Sequence, residues 1–264
     1  MGHWLAHATI ALKLFENTME QKIYEETFSG HRLRYAFQYA GTQSYLYPYI
    51  RRVTGEQYDI LAPLDYIAAH KPFYTESTDD RYVEYKSLIG LTSLALLPYR
   101  CCIMHAVAVL MEESCWLITA PPGTGKTTQY YNLKSLYGDN VEMVCGDMPL
   151  LEIAKDESIL VHPSPWNGKE RIRGKQSAPL GGILLLRQGE ENTIHRLAPE
   201  ETVFTLLTQL AVLPDTEEQA LQVAGFAEHI LMKYPFWEMV NRGDTASSRL
   251  AADTFRAYLK GSQQ

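Results

Sequence analysis

Nine consecutive residues, Ala120-Pro121-Pro122-Gly123-Thr124-Gly125-Lys126-Thr127-Thr128, follow directly on the apolar run Cys115-Trp116-Leu117-Ile118. A glycine-rich turn between a strand and a helix aims several backbone N–H groups at one spot, which suits a phosphate. Pro122, Gly123, Thr124, Gly125, Lys126, Thr127 and Thr128 form the candidate cradle. The Lys126 ammonium reaches the outer phosphates, and the Thr127 hydroxyl can sit on Mg²⁺. Ala120 stands where the stricter pattern has its first glycine, which costs little if the backbone there is not left-handed.

Two further groups suit the same chemistry. Asp147 ends the apolar segment Val141-Glu142-Met143-Val144-Cys145-Gly146, one helix away from Lys126. A carboxylate there can hold Mg²⁺ with Thr127 or orient a nucleophile. The segment 164–175 carries Lys169, Arg171, Arg173 and Lys175 between prolines and glycines. Phosphoryl transfer needs cations against the charge that develops on the moving group. Lys169 and Arg173 are the stronger candidates of the four. Trp166, beside them, can stack on a base or simply pack, and packing is the favoured reading. His105 opens the strand that leads toward the turn, and a lone histidine in that place is usually structural.

These groups need elements to position them. Residues 105–110 and 115–119 are apolar runs joined by Met111-Glu112-Glu113-Ser114, which reads as a β-hairpin. The turn then hangs from a strand with an antiparallel neighbour, unlike an all-parallel layout. A helix is expected over 126–137, and strands over 141–145 and 158–161. Residues 182–187 and 193–197 read as a second hairpin. Helices follow over about 199–209 and 217–233, then a strand over 236–240 and a helix over 246–259. Upstream, a short helix is expected over 4–16. Tyr-rich strands are expected over 23–28, 33–39, 45–50 and 58–61, and a helix over 79–97. The division expected is a helical appendage over 1–18, a β/α subdomain over 19–100 and a nucleotide-binding domain over 101–264.

Composition narrows the class. With 264 residues, 46% hydrophobic and 21% charged, the chain can bury a core. A formal net charge of −7 without a basic block disfavours nucleic acid and anionic membranes as partners. No apolar run reaches the roughly 20 residues of a membrane span. Cys101, Cys102, Cys115 and Cys145 lack metal-ligand spacing, so a reduced, cytoplasmic setting is expected.

Taken together, the motifs resemble the kinase domain of HPr kinase/phosphorylase. They resemble more closely the related kinases of the phosphoenolpyruvate-carboxykinase-like fold, including lasso-peptide precursor kinases. His105-Ala106-Val107-Ala108-Val109, the turn 120–128, Gly146-Asp147-Met148-Pro149, Pro165-Trp166-Asn167-Gly168-Lys169, Gly189-Glu190-Glu191-Asn192-Thr193-Ile194 and Pro235-Phe236-Trp237 carry the resemblance, over roughly 100–260. It implies an α/β fold of α+β character: a P-loop kinase core with a mixed sheet and a preceding hairpin. It also implies ATP and Mg²⁺, catalytic roles for Asp147, Lys126, His105, Lys169 and Arg173, and a Ser/Thr hydroxyl of a peptide or protein as acceptor. A homo-oligomer is compatible with it. The family has two adjacent aspartates where this chain has Gly146-Asp147, which puts reverse, phosphorolytic activity in doubt. The alternatives are a small-molecule kinase or carboxykinase of the same fold, an AAA-type ATPase, and a non-catalytic nucleotide-dependent maturation protein. A carboxykinase needs a Lys, His and Asp site for Mn²⁺, and no convincing set stands out in the sequence.

Overall fold

The computed structural model describes residues 22–168, 171–172 and 174–261. The helix expected over 4–16, the appendage over 1–18, Lys169 and Arg173 lie outside the described residues.

The described residues form a mixed α/β structure with a three-stranded and a nine-stranded sheet. The small sheet has β1 (Ile23–Phe28) between β2 (His31–Tyr35) and β3 (Arg51–Val53), all antiparallel. Two strands expected here are absent. Residues 45–46 instead end a one-turn helix, α1 (Gln43–Leu46), and 47–50 form turns; the Tyr45 ring packs 5.7 Å from Tyr82 and 5.2 Å from Tyr85. The aromatic content that suggested a strand is used for ring packing. Residues 58–61 make only a single bridge, Tyr35 to Ile60. The Asp59 carboxylate takes the Arg34 N–H at 2.8 Å, which ends the ladder. Helix α2 (Leu64–His70) was not legible in the sequence. Helix α3 (Asp80–Leu96) was, and the Asp79 side chain caps it by accepting the Arg81 N–H.

The large sheet is built around β10 (Ala178–Gln188). At its start β10 pairs antiparallel with β9 (Ile159–His162), which continues to β8 (Leu150–Ile153) and β4 (Cys101–Ile103). Along its middle β10 runs parallel to β6 (Ser114–Thr119). Beyond β6 come β5 (Val107–Met111) and β7 (Val141–Cys145), each antiparallel to its neighbour. The β5–β6 hairpin forms as expected, with a tighter turn. Glu112 and Glu113 alone make it, both left-handed at φ 54° and 59°.

The second expected hairpin does not form. β11 (Thr193–Leu197) pairs with β12 (Phe236–Asn241), and β12 lies parallel to β10 between them. The burial pattern explains the order. Residues 180–186 of β10 are buried without alternation, so β10 needs neighbours on both edges, whereas β11 is largely exposed and suits an edge.

Helices cover both faces. Helix α4 (Lys126–Tyr137) and α7 (Thr245–Gly261) pack on one, where Phe255 stacks on Trp116 at 4.0 Å. Helices α5 (Pro199–Gln209) and α6 (Glu217–Lys233) lie on the other through Leu206, Val223, Phe226 and Ile230. A third core joins α3 and the small sheet to Cys101, Ile103, Leu150 and Trp166. All four cysteines are buried and unpaired. No helix of the described residues is long and apolar enough to cross a membrane.

Candidate functional site

β6 and β7 point the same way because each is antiparallel to β5 between them. The ends of β6 and β7 and the residues entering β5 therefore meet at one edge of the sheet. Register fixes the meeting: Val107 faces Ile118 and Ala108 faces Cys145. The segment after Thr119, His105 and Asp147 are thereby brought together by strand pairing alone.

The turn at 120–125 leads from the end of β6 directly into α4. Gly123 and Gly125 are left-handed, at φ 81° and 107°, where an L side chain would be strained. Ala120 is not among the residues with positive φ, so the missing first glycine costs the turn little. The Thr124 hydroxyl donates to Pro121 O at 2.9 Å and Gln188 Nε2 to Gly123 O at 3.2 Å, which brace the turn from inside and from β10. No side chain caps the first turn of α4, so its leading N–H groups stay available for an anion. Lys126 folds back over the turn and donates to Ala120 O at 2.8 Å. Burial pushes its ammonium pKa down, and the charge of Asp147 partly offsets this. Thr127 is half-buried and Thr128 is exposed.

Asp147 sits between two nitrogen-bearing side chains from different parts of the chain, His105 and Lys86. His105 Nε2 is 3.4 Å from Oδ1, and Lys86 Nζ, on α3, is 3.5 Å from Oδ2. Burial alone would raise the carboxyl pKa. His105, Lys86 and Lys126 outweigh it and hold the group below the usual carboxylate value. The Ala106 N–H donates to Asp147 O at 2.9 Å, which fixes the backbone. His105 is in turn held by α5: its N–H donates to Gln209 O at 2.8 Å, and Nδ1 lies 3.2 Å from Gln209 Oε1. Buried Thr119 bonds within the same group, its hydroxyl 2.8 Å from Gln209 Oε1 and 2.9 Å from His105 O.

Lys86 and Gln209 were not anticipated. Each is one polar residue on a helix, far from the site in sequence, with no spacing signal. Lys86, His105 and Asp147 also supply the lysine, histidine and aspartate that the sequence alone did not bring together.

The basic segment is tied to β7 at one end and to the residues just after β7 at the other. The Met148 N–H donates to Trp166 O at 2.9 Å and the Gly174 N–H to Val144 O at 2.8 Å. Between them Arg171 is exposed, and its carbonyl accepts from the Tyr49 hydroxyl at 3.2 Å. Trp166 is a packing residue, as expected. It is buried, stacked on Phe28 at 6.0 Å, and donates to Tyr85 O at 3.4 Å.

The fold also accounts for the glycine before Asp147. A Cβ on Gly146 would lie 2.5 Å from the backbone oxygen of Asn167, so no side chain fits without moving the 163–177 segment. Gly146→Ala is expected to lower stability by about 1–3 kcal/mol, the usual cost of overpacking. Thermal unfolding of the variant measures this, and an unchanged midpoint would show that the segment yields freely.

Among the described residues no three of His, Cys, Asp and Glu cluster to hold a metal by themselves. Mg²⁺ typically keeps few protein ligands and completes its shell with phosphate oxygens and water, so Thr127 and Asp147 fit that mode.

No protein-family model matches the chain, and no curated protein matches it. Among solved structures it is similar to the HPr(Ser) kinase/phosphatase from Coxiella burnetii, at 10% identity and a TM-score of 0.36, over 61% of this chain and 98% of that one. At so low a score the chemistry is left to the residues themselves.

Proposed function

We propose that the chain is an ATP- and Mg²⁺-dependent kinase that transfers the γ-phosphoryl group to a Ser or Thr hydroxyl of a peptide or protein in the cytoplasm. The observation that carries this reading is the meeting of the Lys126 turn with the ionised Asp147 at one sheet edge. A cationic cradle beside a carboxylate base is what hydroxyl phosphorylation requires.

In this reading the amides of 123–127 hold the phosphates, and Lys126 turns from Ala120 O onto the outer ones. Asp147 orients the acceptor hydroxyl and takes its proton, while His105 and Lys86 keep the carboxylate ionised and in place. Lys169 and Arg173 neutralise the group in transit. Thr127 would supply an oxygen to Mg²⁺ bound with the nucleotide, and the ion would shield the phosphate charge. Since Gly146 leaves a single carboxylate, the product is not returned efficiently by inorganic phosphate.

A second reading, a small-molecule kinase or carboxykinase of the same fold, gains support from the grouping of Lys86, His105 and Asp147. Radiolabelled ATP added to a lysate with the protein separates the two: a labelled peptide or protein supports the first, a labelled small alcohol the second. No labelled species of any kind would favour a nucleotide-dependent switch.

Thr127→Val is expected to weaken Mg-nucleotide binding more than metal-free binding, because it removes a metal oxygen and leaves the cradle amides in place. Calorimetry with and without Mg²⁺ tests this, and equal losses would make Thr127 structural only.

A further inference from the structure

A second cluster of reactive side chains lies across the sheet from the Lys126 turn. Strand β10 runs parallel to β6, so its first residues lie at the edge opposite the turn. There three strands line up polar groups by register. Leu150 of β8 faces His162 of β9, which puts Glu152 diagonal to His162 on the same face, and Ala178 faces Val161, which puts Ser177 beside His162. The side chains then bond in sequence. His162 Nε2 is 2.8 Å from Glu152 Oε2, and His162 Nδ1 is 2.6 Å from the Ser177 hydroxyl. Ser29, in the β1–β2 turn, also donates to Glu152 Oε2 and holds the carboxylate in place.

We propose that Ser177 is a nucleophilic serine, served by His162 as base and oriented through Glu152, and that it takes acyl groups from activated esters. A carboxylate can only accept, so it claims the Nε2 proton and leaves the Nδ1 lone pair for the Ser177 hydroxyl. A nucleophile within hydrogen-bond reach of a base that a third group orients is the arrangement serine chemistry uses. Which ring nitrogen serves which partner is reversed from the commonest triad, and the proton inventory is the same. His162 is largely buried, and burial lowers its pKa with Glu152 partly offsetting, so the ring is neutral and able to accept a proton near pH 7. Ser177 is exposed, so an ester can reach it.

In the step itself a bond forms between Ser177 Oγ and the ester carbonyl carbon. The bond from that carbon to the leaving oxygen breaks. The hydroxyl proton passes to His162 Nδ1 and then to the leaving oxygen. Water, deprotonated by the same nitrogen, later releases the acyl group as a carboxylic acid.

The test uses p-nitrophenyl acetate, with peptide mass spectrometry to locate the acetyl group. Acetylation is expected on Ser177 ahead of surface lysines and to be absent from that peptide in Ser177→Ala. It should be slower by about 10²-fold in His162→Gln, the scale of a lost general base. Glu152→Gln, which keeps the shape and removes the charge, should also slow it. Ser177→Ala changes only an exposed hydroxyl, so folding is not in question there. Acetylation scattered over lysines with none on Ser177 overturns the proposal. So does a Ser177 rate equal in wild type, His162→Gln and Glu152→Gln.

Discussion

Lys126→Ala is expected to lower phosphoryl transfer by about 10²-fold or more, the scale seen when a charge-stabilising donor is removed from a reacting centre. The side chain contributes little to the turn that carries it. Thr124, Gln188 and the two left-handed glycines brace that turn independently, and Lys126 adds one bond, to Ala120 O. Its ammonium is nonetheless held half-buried, where burial lowers its pKa and the charge of Asp147 offsets this in part, a setting that suits a group meeting an anion. The loss should therefore appear in turnover with an unfolding midpoint near that of wild type. Wild-type turnover with MgATP in the alanine variant would remove the nucleotide reading of the turn.

Asp147→Asn should retain shape and most nucleotide affinity and lose transfer by about 10²–10⁴-fold, the usual contribution of a positioned base. The amide can still lie between His105 and Lys86 but cannot accept the acceptor's proton. The pH dependence has a definite sign. The folded carboxyl is held below its usual value, so it is ionised through the neutral range, and the base is lost only as pH falls through that lowered value. The same interaction stabilises the fold above the unfolded carboxyl pKa of about 3.9 and is lost on acidification. Mass spectrometry of a partner peptide after incubation with MgATP and each protein reads the transfer directly. Equal labelling by the Asn variant would take Asp147 out of the chemistry. Rapid loss of label on adding phosphate would show that one carboxylate suffices for the reverse reaction.

Local structure was legible in the sequence where it is set over a few residues. The turn 120–128, the helix 126–137 and the strand 141–145 are each specified by glycine placement, apolar runs and breaks that operate within one element. The same holds for the helices α3 and α6. Errors came where partner choice decided the outcome. Residues 182–187 and 193–197 read as a hairpin because they are neighbours in sequence. β10, buried along both edges, instead takes β12 from much later in the chain. Likewise Tyr45 has strand propensity and serves in an aromatic cluster.

The candidate site divides the same way. By itself the sequence determined the glycine-rich turn that carries Lys126 and Thr127, the acidic strand end at Asp147 and a histidine before β5, because their spacing follows from one strand–turn–helix–strand unit. The tertiary structure alone decided that Lys86 of α3 and Gln209 of α5 close around that unit. It also decided that Gly146 has no room for a side chain, because the oxygen of Asn167 lies against it. These are contacts between elements distant in the chain. Their geometry depends on how sheets and helices stack, which no local pattern of residues records.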